Sequence, residues 1–123
     1  MTHLRCQFLL PGALLLAAAC ANNSSALQQR YDSASQIDSA PARDTQMREI
    51  AIDSANAGNS SWCLSSLSEI QNPTLRDQTS QLCAVKFSAL GRKDVCAEII
   101  DGIGNPTVQA NLRKQLGIAA PTI

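Results

Sequence analysis

A chain of 123 residues with 45% hydrophobic and 16% charged positions can bury the core of one domain. Its ten basic residues match its ten acidic ones and are dispersed, which excludes the electrostatic footprint that nucleic acid or an anionic lipid surface requires.

The N-terminal stretch "MTHLRCQFLLPGALLLAAAC" has one arginine (Arg5), an apolar run from Phe8 to Leu16 and small residues Ala17 to Ala19 ahead of Cys20. That order predicts a signal peptide over residues 1–19, the run being short for a membrane span. Small residues before a cysteine resemble the lipobox of bacterial lipoproteins, although Ala17 stands where that motif usually has leucine. The resemblance implies a diacylglycerol anchor on Cys20. Because Ala21 follows the cysteine in place of Asp, it implies the outer membrane. Ordinary cleavage near Ala19 or Ala21, giving a soluble periplasmic or secreted chain, is the alternative. Loss of Arg5 leaves nine basic against ten acidic residues, so any membrane attachment would be covalent.

Residues 20–25 then form a lipidated N-terminus and polar tether, "CANNSS". Six helices are expected after it, at about 26–38, 41–57, 61–71, 73–90, 94–103 and 106–117. In the fifth, Val95, Cys96, Ile99, Ile100 and Ile103 share one face while Asp94, Glu98 and Asp101 turn away. Asn72-Pro73 and Asn105-Pro106 each cap a helix and place proline in its first turn, where a missing N–H costs nothing.

These elements repeat. A shift of 33 aligns Gly58 with Gly91, Cys63 with Cys96, Leu67 with Ile100, Ile70 with Ile103 and Asn72-Pro73-Thr74 with Asn105-Pro106-Thr107. A worn earlier copy aligns Ile37, Arg43 and Asp44 with Ile70, Arg76 and Asp77. One helix pair cannot bury its own apolar stripe, so the expectation is an all-α fold over residues 26–119, a short right-handed stack of three two-helix units, with a tail at 120–123.

Gly91, Cys96, Ile103 and Pro106, with Ala84 and Phe87, resemble the small-residue and aromatic signature of tetratricopeptide repeats over residues 41–117. Ser80 departs from it, standing where that family has a large apolar residue, and the period is 33 in place of 34. "NPTLRDQ" also resembles the second-helix opening of HEAT repeats. Both resemblances imply an α-helical scaffold that binds proteins or peptides and no catalysis. In the tetratricopeptide register Cys96 packs near Ala84, which implies a Cys83–Cys96 disulfide, with Cys63–Cys83 nearly as well placed across the Pro73 turn. Three buried thiols are the bland alternative.

Chemistry is constrained by what is missing. The only histidine, His3, lies in the leader, so no Ser-His or Cys-His nucleophile can be assembled in the mature chain. Intervals of 20 and 13 residues between Cys63, Cys83 and Cys96 are not zinc-ligand spacings. Carboxylates such as Asp94 and Glu98 are the remaining catalytic option, and no pattern sets two of them around a cleft. No enzyme activity, metal or cofactor is therefore expected.

The function expected is binding of another envelope protein, with Trp62, Arg76, Arg92 and Lys93 as candidate contacts at helix starts and turns. A small, exported, helical, cysteine-containing chain without catalytic residues is similar in general character to immunity proteins that block type VI secretion amidases, which implies steric plugging of a cell-wall-degrading toxin. The alternative is an outer-membrane-anchored scaffold or assembly accessory. An odd number of cysteines beyond Cys20 leaves a covalent homodimer open.

Overall fold

The structure, a computed structural model, describes residues 23–120. The expected leader and Cys20 lie outside these residues, as does 121–123 of the tail. The described residues form six helices and no strand: α1 (Ser24–Ser35), α2 (Ala40–Asn56), α3 (Ser60–Glu69), α4 (Pro73–Ala89), α5 (Lys93–Asp101) and α6 (Pro106–Leu116). The fold is all-α, and every helix end falls within three residues of the sequence expectation.

Local chemistry explains the boundaries. Ser39, Asn72 and Asn105, spaced by 33, cap α2, α4 and α6, accepting the backbone N–H of the residue three positions on at 3.5, 3.0 and 3.2 Å. Each of these helices has proline at its first or second position. Asn23 accepts from the Ala26 N–H at 2.9 Å, so α1 starts at Ser24, inside the segment expected to be tether.

Helices α2 and α4 stop in the same way. Gly58 and Gly91 adopt φ of 71° and 76°. The next residue's N–H then turns back onto the chain, Asn59 to the Ser54 carbonyl and Arg92 to that of Phe87, each at 2.8 Å. A side chain at either glycine would crowd its own backbone, which is why glycine closes these helices.

The heaviest packing is between neighbours in the chain, α2 on α3 and α4 on α5, with α2 also lying along α4. Aromatic residues are scarce, so the core is mainly aliphatic: Met47, Ile50, Ile70 and Ile100 share it with the fully buried Phe87. Ala51, Ala55 and Ala84, all without exposed surface, allow the helix axes to approach closely. The buried hydroxyls of Ser54 and Thr79 bond back to carbonyls four residues earlier, at 2.6 and 2.7 Å, so they sit in the core without orphaned donors.

Two carboxylates tie separate helix pairs together. Asp44, buried on α2, accepts the N–H groups of Gln71 and Asn72 at 2.9 and 3.0 Å in the turn between α3 and α4. Asp77 on α4, 33 positions later, accepts the Gly104 N–H at 3.1 Å in the turn between α5 and α6.

Candidate functional site

The interval between α3, α4 and α5 contains a groove of about 440 Å³. Leu64, Leu67 and Ser68 line it from α3, Arg76 and Ser80 from α4, and Glu98 and Ile99 from α5. The counterpart of Ser80 one period earlier is Met47, which is fully buried. A serine has too little side chain to fill the space a methionine fills, and Ser80 is one of the residues that line the opening.

Arg76 is half-buried at the wall of this groove. One end of its guanidinium reaches the Ile70 carbonyl at 3.5 Å, while its Nε–H is buried without a partner. The same position one unit earlier, Arg43, donates to the Ile37 carbonyl at 3.0 Å. Gln109, one unit later, donates to the carbonyls of Ile100 and Asp101 at 3.1 and 3.2 Å. The side chain at this register caps the end of the preceding helix, and only at Arg76 is the contact stretched and a donor left over. A buried donor without an acceptor costs about 1–3 kcal/mol, an incentive to donate to an oxygen from outside.

The other three candidate contacts are engaged within the fold. Trp62 is half-buried, its ring 5.1 Å from that of Tyr31 at a tilt of 50°, and its indole N–H donates to the Ser24 hydroxyl at 3.2 Å. It fastens α3 to α1. Lys93 donates to the Leu116 carbonyl at 2.6 Å and to the Ser88 hydroxyl at 3.1 Å, capping the last turn of α6. Arg92 pairs with Asp94 at 3.5 Å on the surface. There the Asp94 carboxyl is held below its usual range, first by the Val95 backbone N–H and then by Arg92.

A second cleft, about 570 Å³, lies beside α6 and is lined by Asp101, Gln109, Arg113 and Ile118. Its two charged groups, Asp101 and Arg113, are already paired with each other. Elsewhere on the surface Leu82 and Val85 are 45% and 42% exposed, beside Leu112 and Gln115.

Cys63, Cys83 and Cys96 are free thiols without exposed surface. The Cys63 pKa is raised, first by hydrogen bonding with Cys83 and then by burial. Cys83 also donates to the Ala51 carbonyl at 3.6 Å. The charges acting on Cys96, the partner preferred from the repeat register, are those of Lys93 and Arg113; burial raises its pKa against them. Among the described residues no three of His, Cys, Asp and Glu cluster in a way that would hold a metal, and no helix is long and apolar enough to cross a membrane.

No protein-family model matches the chain, and comparison with curated proteins and with solved structures gives no match.

Proposed function

We propose that this chain is a non-enzymatic protein-binding module of the cell envelope, built as a short right-handed stack of three two-helix units, which takes a partner segment in the groove between α3, α4 and α5. The stack is supported by features that recur every 33 residues: caps at Ser39, Asn72 and Asn105, left-handed glycines at 58 and 91, and carboxylate ties from Asp44 and Asp77. The binding reading rests on one observation, the buried, unpartnered Arg76 Nε–H beside the space vacated at Ser80. A partner carbonyl or carboxylate would accept from Arg76 while an apolar side chain lies on Leu64, Leu67 and Ile99. In its specific form the partner is a cell-wall-degrading hydrolase that the protein, acting as an immunity protein, blocks sterically. The location rests on the leader and Cys20 alone.

Capture from envelope extracts tests this reading. Wild-type chain and a Ser80→Met variant would be immobilised side by side and bound proteins identified by mass spectrometry. A partner retained by wild type and lost with Ser80→Met, at unchanged helicity and melting temperature, supports the groove. Recovery of a peptidoglycan hydrolase favours the immunity form, and recovery of resident components of an envelope complex favours a scaffold. Equal capture by both proteins removes the groove as the binding site.

A further inference from the structure

Arg76 and Ser80 are four positions apart on α4, which makes them neighbours on one helix face, and both line the α3/α4/α5 groove. Each has donor capacity that the fold leaves unused. Beyond its 3.5 Å contact to the Ile70 carbonyl, the Arg76 guanidinium has no hydrogen-bond or ion-pair partner among the described residues, and its Nε–H is buried. Ser80 is only 3% exposed. Its neighbour Thr79 bonds back to the Leu75 carbonyl at 2.7 Å, whereas the Ser80 hydroxyl has no partner among the described residues. A guanidinium and a hydroxyl one helical turn apart suit the two oxygens of a carboxylate, since Arg presents its donors as a fork and bonds to a charged acceptor are the stronger kind.

Glu98 lines the same groove from α5, and it too is outside every ion pair among the described residues. Two walls of the groove therefore carry opposite charges that do not neutralise each other, with the apolar surface of Leu64, Leu67 and Ile99 in the same space. This pairing belongs to one interval of the fold. One period earlier the same positions are Arg43 and Ser65, so the first interval has no acid to accompany its arginine.

We propose, resting on the reading that this groove takes a partner segment, that the segment is an internal stretch of a protein chain bearing an acidic, an apolar and a basic side chain. The acid accepts from Arg76 and Ser80, the apolar group lies on Leu64, Leu67 and Ile99, and the base donates to Glu98. A lone anion would satisfy Arg76 and leave Glu98 unmatched in the same groove, and no single residue brings all three groups, so the ligand is a segment. The arrangement also discriminates, because a wholly acidic or wholly basic segment meets a like charge on one wall.

The test titrates acetylated, amidated peptides into the isotope-labelled full chain, kept reduced, and follows its amide resonances. Glu and Lys flank one or two leucines in either chain order, flanked in turn by alanines, because side chains of an extended segment alternate between sides. The expected result is a saturable shift confined to residues 64–68, 76–80 and 98–99 with at least one of these peptides. Its counterpart with Gln for both Glu and Lys should bind at least about tenfold more weakly, the scale of one hydrogen bond to a charged group. Arg76→Gln should weaken the charged peptide by a similar factor and leave the neutral one unchanged. Gln109 caps its helix end from the same register, so glutamine keeps that contact and removes the charge. Should Arg76→Gln fail to fold, Glu98→Gln, a surface change, should abolish the preference for Lys over Gln in the peptide. The proposal is overturned if no charged peptide saturates by about 10 mM, or if the neutral counterpart binds equally well. It is overturned as well if the neutral peptide with a free C-terminus outcompetes the charged ones, which would make a terminal carboxylate the ligand. A partner lost from Ser80→Met in the capture experiment while these peptides fail would keep the groove as a binding site and remove only the acidic and basic segment.

Discussion

The Asp44 carboxylate accepts the Asn72 backbone N–H at 3.0 Å, across 28 residues of chain, while its other oxygen takes the Gln71 N–H at 2.9 Å. Both donors belong to the turn that ends α3 and starts α4, so one buried side chain sets where the second helix pair sits on the first. Asp77 does the same for the third pair with a single, more exposed bond to Gly104 at 3.1 Å.

This difference predicts unequal costs. Asp44→Ala leaves two turn N–H groups without their acceptor and should destabilise the fold by about 2–3 kcal/mol, since bonds to a charged group are among the strong ones. Asp77→Ala should cost less than about 1 kcal/mol because water replaces its one bond. Urea titrations of the two variants check the order, and equal midpoints would contradict it.

The left-handed glycines give a second expectation. A Cβ on Gly91 would meet nothing within 4 Å, and one on Gly58 would meet only Leu90 Cδ1, at 3.7 Å. Space is available, so the cost of Gly91→Ala or Gly58→Ala is the backbone conformation itself, about 1 kcal/mol each. Thermal melts should give nearly the same loss for both.

Much of this architecture could be read in the chain, for a physical reason: caps, prolines and glycines act over three or four residues, so Asn72-Pro73 and Gly91 announce helix ends without help from the rest of the fold. The groove was half legible. Ser80 stood out as a small residue where the repeat signature has a large one, but that Met47 fills the matching space depends on packing. The surroundings of the candidate contacts were not legible. Trp62, Arg92 and Lys93 are polar or aromatic residues at turns, and the groups that engage two of them, Ser24 for Trp62 and Leu116 for Lys93, lie 38 and 23 residues away in sequence. Such pairings arise only when helices meet. The unpaired donor of Arg76 has the same origin, since Arg43 carries the same side chain with a shorter contact.

Lys93 yields the third expectation. Its ammonium group reaches the Leu116 carbonyl at 2.6 Å, supplying the end of α6 with a cation near its last carbonyls. Lys93→Met keeps the stem and removes the charge. Stability should fall by less than about 1 kcal/mol, as for other exposed contacts. Amide exchange of residues 115–118 should nevertheless quicken relative to α4. Uniform exchange across α4 and α6 in the variant would show that this bond does not hold the terminal turn.

Alkaline pH provides the last. Burial and the hydrogen bond with Cys83 raise the Cys63 thiol above its ordinary 9.0, the hydrogen bond being the larger cause. Cys96 is raised by burial, although Lys93 and Arg113 pull the other way. Tyr31 is raised above 10.0 by burial, then by Glu69 and Asp32. In each case the folded chain holds its proton more tightly than the unfolded chain does. The stability these groups contribute is therefore complete below the unfolded value and is lost as pH rises through the folded one. For the reduced protein the urea midpoint should be level from about pH 7 to 8.5, fall above about 9 as the thiols of the unfolded chain ionise, and fall further above 10 as Tyr31 joins them. Cys96→Ala should make the first decline shallower. A midpoint that holds steady or rises between pH 9 and 10.5 would show that these groups do not prefer the protonated state in the fold.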